Sequence, residues 1–200
     1  MQKFLIAYTT NSGTTLDVAN VIADELAKNE FRVDVIRLEE INDLTPYSMV
    51  VVGGPMIMGW HKAAVRFIKQ NQQFLSQVPV AYFITAMRLT ETGDTSVDGV
   101  PISLDPNLVK PPKKEGHPGF KERYASPFKY LHPVLNAARA VKPRNVAFFG
   151  GKLELYRLKW WQALFVLIVI QAQPGGSHNE SFIREWAANL SLSITGKGTA

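Results

Sequence analysis

The sequence predicts an α/β fold in which a doubly wound, five-stranded parallel sheet, with strand order 2-1-3-4-5, carries helices on both faces. Two observations lead to this prediction. Compact apolar segments typical of buried strands alternate with longer segments in which apolar residues recur at helical spacing. The 200 residues, of which 46% are hydrophobic and 20% charged, suffice for one domain with a substantial core. We expect residues 1–195 to form that domain and residues 196–200 to be a frayed tail.

The first half of the chain alternates regularly between strand and helix patterns. Residues 3–8 and 49–52 are compact apolar runs before glycine-containing loops, which predicts buried strands. Residues 31–36 alternate with period two and predict a half-exposed edge strand. Residues 15–28 and 63–75 show helical spacing. Residues 78–84 predict the next strand, since Pro79 stands near its start, where a missing N–H is tolerated.

The second half begins with an interruption. Residues 90–123 are rich in Gly, Pro, Asp and Lys and show no sustained period, which predicts a long irregular insertion after the fourth strand. Its basic residues suit either a lid over a substrate pocket or a solvated loop. The pattern then resumes with a helix at 127–141, a strand at 145–149, an apolar helix at 155–171 and an amphipathic helix at 180–190.

The turn between the first strand and the first helix carries the strongest functional signal. The segment Thr9-Thr-Asn-Ser-Gly-Thr-Thr15 combines five hydroxyl residues with an amide and a glycine. Together with the start of a helix, these donors form an anion site that needs no lysine or arginine, and a phosphate monoester suits it. The alternative is that Ser12 or Thr14 only caps the helix. Because the segment matches neither Gly-x-Gly-x-x-Gly nor Gly-x-x-x-x-Gly-Lys, a Rossmann dinucleotide site and a P-loop are both disfavoured.

Three segments resemble the flavodoxin superfamily. Residues 8–15 resemble its FMN-phosphate loop, and residues 51–60 are similar to its second flavin-binding loop. Phe148-Phe-Gly-Gly-Lys-Leu153, followed by an apolar segment, resembles the branch that contains menaquinone-dependent protoporphyrinogen oxidases. The resemblance covers nearly the whole chain except residues 90–123. It implies a flavodoxin-like fold and a bound FMN.

The resemblance also implies which residues contact the cofactor. The phosphate would be held by Thr10, Asn11, Ser12, Gly13, Thr14 and Thr15. One side of the isoalloxazine ring would be lined by Pro55, Met56, Ile57, Met58, Gly59 and Trp60, and the other by Thr85, Ala86, Met87 and Arg88. Trp60 would either stack on the flavin or fold onto the next helix. His61 is expected at the start of a helix, and Tyr82 in the core.

Composition narrows the chemistry further. The chain has no cysteine, which excludes disulfides, thiolate metal sites and a cysteine nucleophile, so redox chemistry requires a bound cofactor. We identify no catalytic acid or base and predict no metal site.

The net charge is +5, but the basic residues are not interleaved with a stacking platform, which disfavours nucleic acid as a partner. Few carboxylates surround the predicted ring and Arg88 follows the fourth strand, which favours accepting electrons from a substrate.

The resemblance therefore implies an FMN-dependent oxidoreductase with a small-molecule substrate and a quinone acceptor. The alternatives are an electron-carrier flavodoxin that serves a redox-protein partner, and a flavin-free interaction module. The longest apolar run, residues 163–170 within the segment 155–171, is well below the ~20 residues that span a bilayer. The segment predicts a helix buried against the sheet, or one that rests Trp160 and Trp161 on a membrane surface. We expect a cytoplasmic protein, which under the second interpretation is peripheral to the inner face of the membrane.

Overall fold

The computed structural model describes residues 2–56, 59–112, 119, 125–151 and 179–195. The strands are β1 (Lys3–Tyr8), β2 (Arg32–Arg37), β3 (Met49–Pro55), β4 (Val80–Ala86), β5 (Leu89–Thr90), β6 (Ser96–Val97), β7 (Val100–Leu104), β8 (Val109–Lys110) and β9 (Val146–Gly150). The α-helices are α1 (Thr14–Ala27), α2 (Lys62–Gln70), α3 (Gln72–Leu75), α4 (Pro127–Ala137) and α5 (Glu180–Thr195). A 3₁₀ helix spans Leu38–Glu40.

The central sheet confirms the predicted strand order. Its strands lie in the order β2-β1-β3-β4-β9-β7-β6, and the first five of these are parallel neighbours that correspond to 2-1-3-4-5. Strands β1, β3, β4 and β9 are almost entirely buried because both faces of the sheet are covered. Strand β2 is half-buried at the edge, as its period-two pattern predicts.

The insertion after β4 is not irregular throughout, and in this respect the sequence prediction is wrong. Strands β6 and β7 form a hairpin around Asp98-Gly99, where both residues have positive φ (50° and 79°). Strand β7 then pairs in parallel with β9 and extends the sheet from five to seven strands. The pairing satisfies backbone groups of β9 that would otherwise form an open edge. Strands β5 and β8 form a separate parallel pair.

Alternate residues of the central strands supply two cores, one on each face. On one face, Val52 and Tyr82 belong to a cluster that includes residues of α2, α3 and α4. On the other face, Val51 and Phe83 belong to a cluster with residues of α1 and α5. Tyr82 is 2% exposed, as predicted for a core residue, and burial raises the pKa of its phenol.

The helices differ from the predictions mainly at their ends. The predicted helix at 63–75 is two helices that meet at Asn71, where φ is −106° and ψ is 15° and the side-chain amide donates to the Phe67 carbonyl. Helix α5 continues beyond the predicted residue 190 to Thr195. The predicted helix at 155–171 lies outside the described residues. Within the described part of the chain, no helix has the length and apolarity to cross a membrane.

Candidate functional site

Three loops are predicted to contact the cofactor: the first loop (residues 10–15), the second loop (residues 55–60) and the third loop (residues 85–88). All three start at the same edge of the sheet, the one formed by the carboxyl ends of its parallel strands. Parallel pairing aligns the carboxyl ends of β1, β3 and β4, where ligands bind in open α/β sheets. Two backbone hydrogen bonds continue beyond the paired strands. The Thr9 N–H donates to the Gly53 carbonyl (3.0 Å), and the Met56 N–H donates to the Thr85 carbonyl (2.9 Å). The first loop is thereby joined to β3, and the second loop to β4.

The first loop turns into α1 through Gly13. This residue has φ +92° and is the N-cap of α1, in a left-handed conformation that favours glycine. Its N–H donates to the Thr10 hydroxyl at 2.9 Å. The N-cap position is therefore held by a residue without a side chain, and not by Ser12 or Thr14. The positive end of the α1 dipole lies at this turn, and the cap residue Gly13 has no side-chain oxygen that could cover it.

The hydroxyl groups of the first loop differ in exposure. Ser12 is half-buried, and its hydroxyl lies 3.4 Å from that of Thr14. Thr15 is 1% exposed, and its hydroxyl lies 3.1 Å from the buried hydroxyl of Thr85. The Thr15 side chain therefore ties the loop to β4. Thr10, Asn11 and Ser12 are the more accessible polar side chains of the loop.

The two ends of the second loop pair with each other. Met56 and Trp60 form an isolated antiparallel bridge, and both side chains belong to the core. The Trp60 indole N–H donates to the Gly54 carbonyl at 3.0 Å, and the indole centroid lies 5.3 Å from that of Tyr82. Trp60 is only 5% exposed. Of the two predicted positions for this indole, the structure shows it folded onto the protein.

The remaining residues of the second loop are only partly described. Pro55 is half-buried at the end of β3, and Gly59 has φ +122°. Ile57 and Met58 lie outside the described residues. Contact of this loop with the isoalloxazine ring stays a prediction.

His61 begins helix α2, as predicted. Its Nδ1 accepts from the Ala63 N–H (3.3 Å) and lies 3.5 Å from the Thr9 hydroxyl. Burial lowers the pKa of the imidazole, while the charge of Glu39 acts in the opposite direction. The neutral ring suits the cap, because Nδ1 can accept from the helix only without a proton.

The third loop follows β4. Thr85 and Ala86 are buried, whereas Met87 and Arg88 are half-buried. The N–H of Gly151, just after β9, donates to the Ala86 carbonyl at 2.8 Å. The four strand ends are thus connected by hydrogen bonds at one edge of the sheet.

Asp105 is a buried residue of this region that the sequence pattern did not indicate. It follows β7 and is 1% exposed. One carboxylate oxygen accepts from the Asn107 N–H (2.9 Å) and the Asn179 side-chain amide (3.0 Å), and the other accepts from the Gly150 N–H (3.1 Å). An Asp followed by Pro and Asn suggests a local turn, but only the fold reveals the long-range donors.

The Asp105 network extends to the first loop. Gly151, next to Gly150, lies beside Thr14, since a Cβ added to this glycine would be in ordinary van der Waals contact (3.6 Å) with the Thr14 methyl group. Asp105 therefore fixes the end of β9 beside the predicted phosphate loop. We assign it a positioning role, because its carboxylate oxygens are occupied by these three donors.

The donors of the first loop have the chemistry that suits an anion. The turn offers hydroxyl groups, backbone amides and a helix N-terminus whose cap residue has no side chain, a donor set that fits a phosphate monoester. Within the described residues, no group of three His, Asp or Glu side chains is arranged to hold a metal ion.

The chain is similar to several known proteins. The chain is 24% identical over 201 residues to "Protoporphyrinogen IX dehydrogenase [quinone]" of Escherichia coli (strain K12), covering 96% of this chain and 94% of that protein. Solved structures that it resembles include a flavodoxin from the domain Archaea (TM-score 0.48, 10% identity, 98% of each chain) and oxidised flavodoxin 2 from Bacillus cereus (TM-score 0.45, 14% identity, 98% of this chain and 99% of that one). Residues 5–179 match the family model described as Flavodoxin domain. Because this match covers most of the sequence, the chain belongs to the flavodoxin-domain family, whose cofactor is FMN.

Proposed function

We propose that this protein is an FMN-dependent oxidoreductase that oxidises a porphyrinogen-type substrate and passes the electrons to a quinone. The observation that carries the proposal is the first loop. It presents hydroxyls and the N-terminus of α1, whose cap residue Gly13 has no side chain, at the edge of the sheet where the other two predicted loops also begin. Family membership supports FMN as the ligand.

In this proposal, most residues of the first loop contact the phosphate, and one residue holds the loop in position. Thr10, Asn11, Ser12, Gly13 and Thr14 hold the phosphate, while Thr15 acts through its contact with Thr85. The ring lies between residues 55–60 and 85–88. FMN, when bound, supplies the electron-accepting group that the side chains of this cysteine-free chain lack. The protein supplies position, exclusion of water and electrostatics.

The choice of an enzyme over a carrier rests on two supports. The relative from Escherichia coli is named as a dehydrogenase of protoporphyrinogen IX that uses quinone, and it aligns over nearly all of both chains. In addition, Arg88 is half-buried in the third loop, where a cation favours reduction of a nearby flavin by Coulomb attraction. A flavodoxin acting only as an electron carrier is the competing function.

The cofactor site is tested with two variants of Ser12. In Ser12→Asp a carboxylate would stand against the phosphate, and two unit charges about 4 Å apart repel by ~4 kcal/mol at an effective dielectric constant of 20. We expect FMN affinity to fall at least ~100-fold, with Ser12→Asn, a neutral side chain of the same size, within ~10-fold of the wild type. Flavin fluorescence during titration of the FMN-free protein measures both. Riboflavin, which lacks the phosphate, should bind all three proteins alike. An unchanged FMN affinity in Ser12→Asp would show that the phosphate binds elsewhere.

The reaction is tested by anaerobic mixing of the FMN-loaded protein with protoporphyrinogen IX and a soluble menaquinone analogue. We expect porphyrin fluorescence to appear in proportion to the quinone reduced. No turnover, together with rapid electron exchange with a flavodoxin reductase, would identify a carrier.

The proposed quinone acceptor also suggests where in the cell the protein acts. Quinones partition into bilayers, so we propose a cytoplasmic protein whose single domain, residues 1–195, contacts the inner face of the membrane. Co-sedimentation with vesicles that contain menaquinone, compared with vesicles that lack it, measures this contact. An absence of binding to either vesicle would contradict it.

A further inference from the structure

Helix α2 carries a row of exposed cations next to the second loop. Lys62, Arg66 and Lys69 are exposed and follow the spacing i, i+4, i+7, which places them on one side of the helix. At a rise of ~1.5 Å per residue, their Cα atoms lie about 6 and 10 Å along the axis from the first. The row starts two residues after Trp60, where the loop predicted to face the flavin ends.

A recess of about 420 Å³ lies along this row. It is lined by Trp60, Lys62, Val65, Arg66, Lys69 and Gln70, which we call the α2 groove. Val65 is half-buried, and the aliphatic stems of the cations add to the apolar wall. The groove is open to solvent and combines an apolar wall with charged groups along its length.

The three cations have no acidic partners among the residues that the structure describes. Lys3, Lys28 and Arg184 each form an ion pair with a carboxylate, but Lys62, Arg66 and Lys69 do not. Like charges at a spacing of four residues destabilise a helix slightly. A bound anion with more than one carboxylate would relieve this repulsion and place its apolar body on the groove wall.

We propose that the α2 groove binds the carboxylates of an apolar substrate that carries at least two of them, and so positions that substrate beside the second loop. This assignment rests on the proposed function, which it deepens by naming substrate-positioning residues. Arg66 and Lys69 are the main determinants, because they stand farther along α2 from the predicted flavin than Lys62 and leave the reacting part of the substrate next to the ring.

The test uses mesoporphyrin IX, a flat apolar dicarboxylate that is already oxidised, and its dimethyl ester, which has no charge. Porphyrin fluorescence measures binding to the full chain with and without FMN. In Arg66→Glu/Lys69→Glu we expect mesoporphyrin affinity to fall about 10- to 30-fold and the affinity for the ester to stay the same. The wild type should lose affinity for mesoporphyrin as salt rises, and the variant should lose much less.

A matched control reverses the charge of one arginine and one lysine at another place on the surface. Arg139→Glu/Lys142→Glu changes the net charge equally, on exposed residues that precede β9 at the opposite edge of the sheet. This control should bind mesoporphyrin within about twofold of the wild type. Equal losses in both variants, an equal loss for the ester, or no binding of mesoporphyrin by the wild type would overturn the proposal. FMN affinity should be the same in all three proteins. A wild type that binds mesoporphyrin but no FMN would refute the proposed function and leave the groove assignment standing.

Discussion

Replacing Asp105 with alanine is expected to lower the free energy of unfolding by about 3–5 kcal/mol. The carboxylate is 1% exposed and accepts hydrogen bonds from the backbone of Asn107 and Gly150 and from the side chain of Asn179. Each buried donor left without an acceptor costs about 1–3 kcal/mol. The sum over three donors is reduced because they share one acceptor group and a water molecule can enter the space.

Asp105→Asn separates the charge from the shape of the side chain. It retains one carbonyl oxygen, which can keep the bonds from Asn107 and Asn179, but its NH₂ group faces the Gly150 N–H and cannot accept from it. We expect a loss of about 1–3 kcal/mol. Because Gly150 precedes Gly151, which packs near the first loop, FMN affinity should also fall, by about 5- to 10-fold.

Urea-induced unfolding of the FMN-free protein, followed by circular dichroism, measures both variants. Asp94→Asn is the matched control, because its carboxylate accepts a hydrogen bond from Thr92 on the exposed surface. This control should change stability by less than ~0.5 kcal/mol and leave FMN affinity unchanged. If Asp105→Ala unfolds within ~1 kcal/mol of the wild type, the carboxylate does not join β7 to β9, and the reasoning from its three donors is refuted.

Three further predictions follow from other contacts. Gly53→Ala should lower stability by at least ~3 kcal/mol in urea unfolding, since its Cβ would lie 1.9 Å from the Phe83 ring; a normal midpoint would contradict this packing. Burial lowers the pKa of His61 in the folded protein, so the unfolded chain binds the proton first and stability should fall as pH decreases from about 7 through ~6.5. His61→Asn should remove this part of the decline, and identical pH profiles would refute it. Thr15→Val or Thr85→Val alone should cost ~1–2 kcal/mol and the double variant less than the sum, which thermal unfolding measures; additive losses would argue against the hydroxyl contact.

The order of the sheet could be predicted because its signals are local. Apolar runs such as residues 49–52 are buried on both faces, and the period-two pattern of residues 31–36 places them at an edge. In the insertion the local signal is limited to Asp98-Gly99, a pair typical of a β-hairpin turn, which the prediction of an irregular segment did not take into account. Strands β5, β6 and β8 have two residues each, too few for a period, and β7 contains Pro101. Strand β5 pairs with β8 and β7 pairs with β9, and these pairings join residues that lie far apart in the chain, which a local pattern does not contain.

For the candidate site, too, the local features could be predicted from the sequence and the long-range contacts could not. The sequence located the turn at Gly13 and the donors around it, because both are properties of adjacent residues. It did not show that the Thr15 hydroxyl meets Thr85, 70 residues away, or that Asp105 meets Gly150 across 45 residues. Trp60 illustrates the same limit. An indole in a loop can face a ligand or the core, and only the hydrogen bond to Gly54 distinguishes the two.

The contrast between the two proposed anion sites has a physical basis. The first loop has short side chains and backbone amides, which lose little conformational entropy when they bind a phosphate and therefore suit a cofactor that stays in place. The α2 groove has lysine and arginine side chains, each of which gives up about 2 kcal/mol of rotamer freedom when it is immobilised. Exposed pairs of this kind contribute at most ~1 kcal/mol each and weaken with salt. A substrate that must enter and leave in every turnover is better served by such contacts, so the proposed function requires the tighter site at the first loop and the weaker one at α2.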